Sequence, residues 1–185
     1  MTRLNASREE AGFTLTELMV VMLLGVILVT LGAFAVRKYW LRRSLEGAQD
    51  QVVSQLRQVQ QRSMAETYPI VYGVRFEKDT SRWGVVRYNA STATCQAVNN
   101  LTMSDGVIFL GSGTDFPDVV TPSTMSTACR NAAPGASGNH EVIFFYPKGS
   151  TNAATAGSTL TLRQPALPQD DTVTVSKLTG KVTRG

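Results

Sequence analysis

Histidine is almost missing from this chain, cysteine is scarce and charge is low. One histidine (His140), two cysteines (Cys95 and Cys129) and 17% charged residues are spread over 185 positions. These shortages exclude a good deal. There is no Ser/His/Asp set with a supporting local motif, no metal-spaced cluster, no Cys-x-x-Cys pair and no Gly-rich phosphate loop. The sequence therefore points away from an enzyme and offers no residues for a metal or a cofactor. His140 stands at the start of an expected strand and reads as a surface or interface residue. Asp170-Asp171, in a Pro/Gln-rich stretch ahead of another strand, reads as turn chemistry.

Proline is also absent from residues 13–36, so no kink is imposed there, and Gly25 and Gly32 are the only weak points. What that stretch does contain is an apolar run from Leu18 to Val36 with a carboxylate, Glu17, at its head. About 20 apolar residues span a bilayer, whereas a secretory signal has an apolar core of only about 7 to 15. An ionisable group in such a segment costs about 2.5–3.5 kcal/mol on insertion scales, which makes Glu17 a functional candidate in need of a partner. A plain signal anchor tolerating Glu17 near the interface is the alternative, and it leaves the preceding Gly12-Phe13 pair unexplained.

Beyond the apolar run, Leu41, Leu45, Ala48, Val52, Leu56 and Val59 recur at spacings of three and four. That stripe predicts an amphipathic helix packing one face onto a domain. Tyr68-Pro69 ends the pattern, since the residue before proline is pushed out of the helical region. A helix over residues 13–67 is about 80 Å long at 1.5 Å per residue, a length that suits a filament core better than a small globular domain.

From Ile70 the period changes to two. Ile70, Tyr72, Val74 and Phe76 alternate with Val71, Gly73, Arg75 and Glu77, which predicts a strand with one buried face. Further strands are expected over residues 83–88, 141–146, 159–163, 172–176 and 181–184, with Leu178-Thr179-Gly180 as the last hairpin turn. Residues 89–139, rich in Ser, Thr, Gly, Asn and Pro, read as a long loop interrupted by the apolar run Val107 to Leu110. The expected fold class is α+β, with a long N-terminal helix covering one face of an antiparallel sheet. Tyr72, Val74, Phe76, Ile143 and Phe145 are the expected core opposite the helix stripe.

The segment Gly12-Phe13-Thr14-Leu15-Thr16-Glu17-Leu18, followed by the apolar run, closely resembles the class III signal of type IV pilins and pseudopilins. The later segment from Ile143 to Gly149 and the ending from Val173 to Val182 resemble the GspH/FimT group of minor pilins and pseudopilins. The resemblance implies cleavage between Gly12 and Phe13 by a prepilin peptidase on the cytoplasmic face, followed by N-methylation of Phe13. It also implies that Glu17 pairs with the terminal amine of a neighbouring subunit. The resulting organisation is a leader over residues 1–12, a transmembrane and filament-core helix over 13–36, its amphipathic continuation over 37–67, and a β-rich domain over 68–185. The implied partners are other pilins, the peptidase, an inner-membrane assembly platform and membrane lipid. The implied location is the inner membrane, with a single pass and an extracytoplasmic C-terminal domain, before incorporation into a pilus or pseudopilus.

Charge does not simply follow that topology. The chain carries a formal +4 and a pI of 9.3, but Arg37, Lys38, Arg42 and Arg43 crowd the end of the apolar run. From Ser44 onward there are twelve Lys/Arg against eleven Asp/Glu. The basicity is a juxtamembrane collar suited to anionic headgroups. Counted by the positive-inside rule, that collar puts the large domain in the cytoplasm, whereas the leader resemblance puts it outside. The cysteines fit the outside. Cys95 and Cys129 are expected to be joined there, although two reduced structural cysteines would be the reading for a cytosolic domain.

Three roles stay open at this level: a minor pilin of a type IV pilus, a pseudopilin of type II secretion, and a DNA receptor for transformation. The last rests on Lys177, Lys181 and Arg184, in a terminal stretch from Thr172 that has no acidic residue. Gly180 to Arg184 loosely resembles the Gly-Arg-x-Arg tail through which FimT-like minor pilins contact DNA. The spacing here is one residue longer, and Lys replaces the first Arg. Three phosphate contacts give weak binding with a salt slope of about −2.7. A solvated terminal strand bearing a few cations is the plainer reading. Across classes, a membrane-anchored extracytoplasmic protein or enzyme unrelated to filaments is the alternative.

Overall fold

A computed structural model describes residues 14–110, 128–129, 132, 140–153 and 158–185. The layout is α+β and pilin-like, with one long N-terminal helix followed by antiparallel strands. The chain divides into two compact units, one ending at Tyr39 and one running from Trp40 to Gly185.

The helix α1 spans Leu15–Ala65. Thr14 caps its start: the Glu17 amide donates to Thr14 Oγ1 at 3.3 Å, satisfying one of the amides that have no partner within the helix. In the first unit every helical residue is exposed, from Leu15 through Val26 and Phe34 to Tyr39. In the second unit the stripe is buried: Leu45, Ala48, Val52, Leu56 and Val59 are at most 3% exposed. The helix stops two residues short of the expected end. The Glu66 amide makes the last bond of the turn, to the Arg62 carbonyl.

The strands form two sheets where one was expected. The first contains β1 (Ile70–Glu77), β2 (Arg82–Asn89), β3 (Thr94–Ala97) and β6 (His140–Phe145) in the order β3-β2-β1-β6, with β4 (Leu101–Thr102) also on β2. The second has the order β5-β7-β8-β9, built from β5 (Ile108–Phe109), β7 (Ser158–Arg163), β8 (Asp171–Val175) and β9 (Val182–Arg184). β3 and β4 fall in the stretch read as loop. Their sequence is polar and their exposure high, because they pair at an edge and bury little. Residues 111–127, which belong to the same stretch, lie outside the described residues.

Both sheets share the core with the helix. Val74, Phe76, Trp83, Val85, Ile143 and Phe145 of the first sheet cluster with Leu160, Leu162, Val173, Val175 and Val182 of the second and with the helix stripe. Polar side chains fasten the helix across both sheets: Gln49 Nε2 donates to the Thr172 carbonyl at 2.8 Å, and Gln60 Nε2 to the Thr179 carbonyl at 2.9 Å. Ser63 Oγ donates to the Phe145 carbonyl.

The expectation that β1 has one buried face is corrected. Val71, Gly73, Arg75 and Glu77 are buried as well. Strand side chains alternate between faces, and the second face carries its own cluster of Val71, Val86, Tyr88, Val142 and Phe144, covered by Cys129. Cys95 of β3 and Cys129 are bonded, with their Cα atoms 5.1 Å apart. Cys129 is thereby tied to the sheet edge, with Ala128 packed on the same cluster. Gly73 and Gly84 admit the close approach: a Cβ at Gly73 would lie 2.8 Å from Phe144 Cδ1, and one at Gly84 would collide with the Asn99 carbonyl.

Candidate functional site

Glu17 sits in the first turn of α1, its amide held by both the Thr14 hydroxyl and the Thr14 carbonyl. Thr-x-x-Glu at a helix start is the capping-box pattern, which places an acid where the helix dipole favours it. Local structure therefore accounts for a carboxylate at this position, and the exposed side chain is open to a partner from outside the chain. Gly12, Phe13 and the leader before them lie outside the described residues.

After Glu17 come 19 residues that expose Leu18, Met19, Val20, Leu23, Ile27 and Leu31, among others, at 47–73% of their surface. None of this apolar stretch is buried, and the helix is long and apolar enough to cross a membrane. Monomeric soluble proteins rarely expose apolar patches of more than a few hundred Å². Tyr39 and Trp40, exposed at 62% and 65%, follow it among the cations Arg37, Lys38 and Arg43. Arg42, counted with them in the sequence, is occupied otherwise. It pairs with Glu46 one turn on and with Asp171 at 3.3 Å, and it donates to Gln169 Oε1. It fastens the helix to the start of β8 and is only part of the collar by sequence position.

The terminal hairpin separates the three cations singled out there. β8 and β9 pair with Val173 opposite Arg184 and Val175 opposite Val182, and Gly180, at φ 61°, makes the turn. Lys181 is exposed and Lys177 half-buried. Arg184 turns onto Asp50 of the helix. The cleft it lines is shared with Asp50, Ser54, Arg57, Gln58 and Gln61. Arg57, whose Nη2 donates to the Val182 carbonyl at 3.2 Å, is a cation that sequence reading did not associate with this end. Its position on the helix face above β9 is a product of tertiary packing alone.

The residues weighed for catalysis are engaged structurally. His140 is 2% exposed at the start of β6, opposite Glu77 of β1, which corrects the surface reading. Asp170 accepts from Arg163 Nε at 2.8 Å and Nη2 at 2.6 Å, and this bidentate pair, despite partial burial, holds its carboxyl below the ordinary value. Burial pushes the Tyr146 hydroxyl above its ordinary value. Among the described residues no group of His, Cys, Asp or Glu has the arrangement of a metal site.

Residues 7–33 match the family described as the prokaryotic N-terminal methylation motif. Comparison with the curated proteins found no match, and comparison with the solved structures found none either. The motif covers the Gly12-Phe13 junction, Glu17 and most of the exposed apolar helix. It supports a type IV pilin-like or pseudopilin-like protein, with the processing by prepilin peptidase and the assembly among other pilins that such a motif implies.

Proposed function

We propose that this chain is a minor pilin or pseudopilin subunit of the GspH/FimT kind, in a type IV pilus or a type II secretion pseudopilus. The observation that carries the proposal is the methylation motif standing at the head of a helix whose apolar run from Leu18 to Val36 is wholly exposed. In the membrane that surface meets lipid, with Tyr39 and Trp40 at headgroup level and Arg37, Lys38 and Arg43 beside them. In a filament it meets the same helix of other subunits. The leader over residues 1–12 is removed between Gly12 and Phe13, Phe13 is N-methylated, and the β-rich domain lies outside the inner membrane.

Glu17 pairs with the terminal amine of the adjacent subunit as an assembly platform lifts each subunit from the bilayer. Inside a helix-packed core the pair is weakly screened, and removing one partner of such a pair costs about 3–5 kcal/mol. The test is fractionation of sheared filaments from cells carrying Glu17→Ala. The variant is expected to be cleaved normally and to be missing or depleted in the filament fraction. Normal incorporation would remove the pairing mechanism.

Lys177, Lys181 and Arg184 give DNA contact during transformation less support, because Arg184 is engaged by Asp50 and the remaining lysines act as point charges without a bidentate fork. An extracytoplasmic enzyme unrelated to filaments would retain its leader and stay monomeric in the membrane, the opposite of what processing and incorporation require.

A further inference from the structure

The second face of the first sheet is apolar at one end and charged at the other. Arg75 and Glu77 of β1, Arg82 of β2 and His140 of β6 face the same side there, as the register Arg75↔Gly84, Arg75↔Val142 and Glu77↔His140 requires. Gly84 has no side chain to fill the space above it, and the Asn99-Asn100 backbone crosses it closely. Asn100, with Leu101 and Thr102 of the adjoining β4, lines a cavity of about 170 Å³ together with these side chains.

The charges in that cavity do not balance. Glu77 is already matched: Arg82 Nε lies 3.0 Å from Glu77 Oε2 and Arg82 Nη2 lies 3.0 Å from Oε1. Arg75 is 6% exposed, and among the described residues its side chain makes one hydrogen bond, from Nη2 to Asn100 Oδ1 at 3.2 Å. Its Nε and Nη1 are buried with no hydrogen-bond partner among the described residues. Burial pulls the guanidinium below its ordinary value, with Glu77 opposing and Arg82 adding to the effect. A buried charge with unsatisfied donors is costly, and an anion that meets it removes the cost.

We propose that this cavity binds a small free monocarboxylate, held by the guanidinium of Arg75. A carboxylate is planar and matches the guanidinium fork. With His140 neutral, the formal charges of the described lining leave an excess of one, which a monoanion matches and a dianion such as phosphate exceeds. The volume falls well below the roughly 300–1,000 Å³ of drug-sized pockets, so the ligand has only a few heavy atoms.

The test uses the full chain in detergent micelles. Sodium acetate is titrated against sodium chloride at matched ionic strength, following melting temperature and, with labelled acetate, bound ligand by equilibrium dialysis. Acetate is expected to raise the melting temperature and to bind saturably, and chloride to leave the melting temperature unchanged. In Arg75→Met the acetate response disappears. Arg75→Lys, which keeps the charge without the fork and serves if the methionine variant does not fold, weakens half-saturation about tenfold, equivalent to about 1.4 kcal/mol. The proposal is overturned by the absence of a saturable acetate response, by an equal response to chloride, or by an undiminished response in either variant.

Discussion

Glu17 fills two places at once, a helix-capping position set by its own chain and a charge that needs a neighbour. Glu17→Gln separates the two, since glutamine keeps the capping-box geometry but has no charge to offer an amine. The variant is expected to keep its helix by circular dichroism and to lose filament incorporation, the same outcome as expected for Glu17→Ala. Recovery of incorporation with glutamine would reduce the residue to a cap. A second prediction at this scale concerns Asp170. Its carboxyl is lowered by Arg163, so the pair stabilises the fold above the ordinary carboxylate value of about 3.9, and that contribution is lost as pH falls through the lowered folded-state value. Arg163→Gln is therefore expected to melt below the parent at neutral pH and to converge with it in acid. A gap that persists in acid, with the carboxyl protonated in both states, would mean that packing rather than charge is lost. At Gly84 the crossing of the Asn99 carbonyl leaves no room for a methyl group, and Gly84→Ala is expected to cost about 1–3 kcal/mol, the usual range for overpacking, read by chemical denaturation. An unchanged midpoint would mean that the Asn99-Asn100 crossing gives way at no cost.

Among the elements, the helix was legible because its signal is periodic and local. Leu45, Val52, Leu56 and Val59 mark the buried face by spacing, and all four are buried. The strands with strong alternation, β1, β2, β6, β7 and β8, were legible for the same reason, with ends shifted by one residue at most. β3 and β4 were not. Thr94–Ala97 alternates exposed Thr94 and Gln96 with half-buried Cys95 and Ala97, but four residues with small, weakly apolar side chains are too short a run to stand out from a polar loop. Nor could alternation reveal that the far face of β1 is buried. Arg75 and Glu77 look solvent-facing in sequence, and their burial depends on Asn100 and His140 arriving from distant parts of the chain. The cavity built on them was illegible for that reason. The helix stripe yields a direct prediction. Leu56→Asp puts an unpaired charge at a site 0% exposed, between the two sheets, and is expected to abolish cooperative melting in detergent micelles. Melting like the parent would mean that Leu56 faces another subunit.

For the molecule as a whole, the leader motif tells more about function than the rest of the chain does. The motif is short, and a peptidase and neighbouring helices read it directly, so its chemistry survives in linear sequence. The β-rich unit carries no comparable signal, and among the pilus, secretion and uptake roles only uptake had residues to point to, surface cations whose partners the fold reveals. The Cys95–Cys129 bond closes 34 positions of chain and in an entropy model contributes about 3–4 kcal/mol. The double variant Cys95→Ser with Cys129→Ser is expected to lower the denaturation free energy by that order, whereas an unchanged value would mean that residues 128–129 are held by their apolar contacts alone. Maturation and assembly as a pilin leave a mark on the polypeptide itself, read by intact-mass and fragment-mass analysis of the protein recovered from membranes. A mature chain beginning at Phe13 with one N-terminal methyl group is expected. A chain that retains Met1 to Gly12, or one that is cut elsewhere and unmethylated, would contradict it.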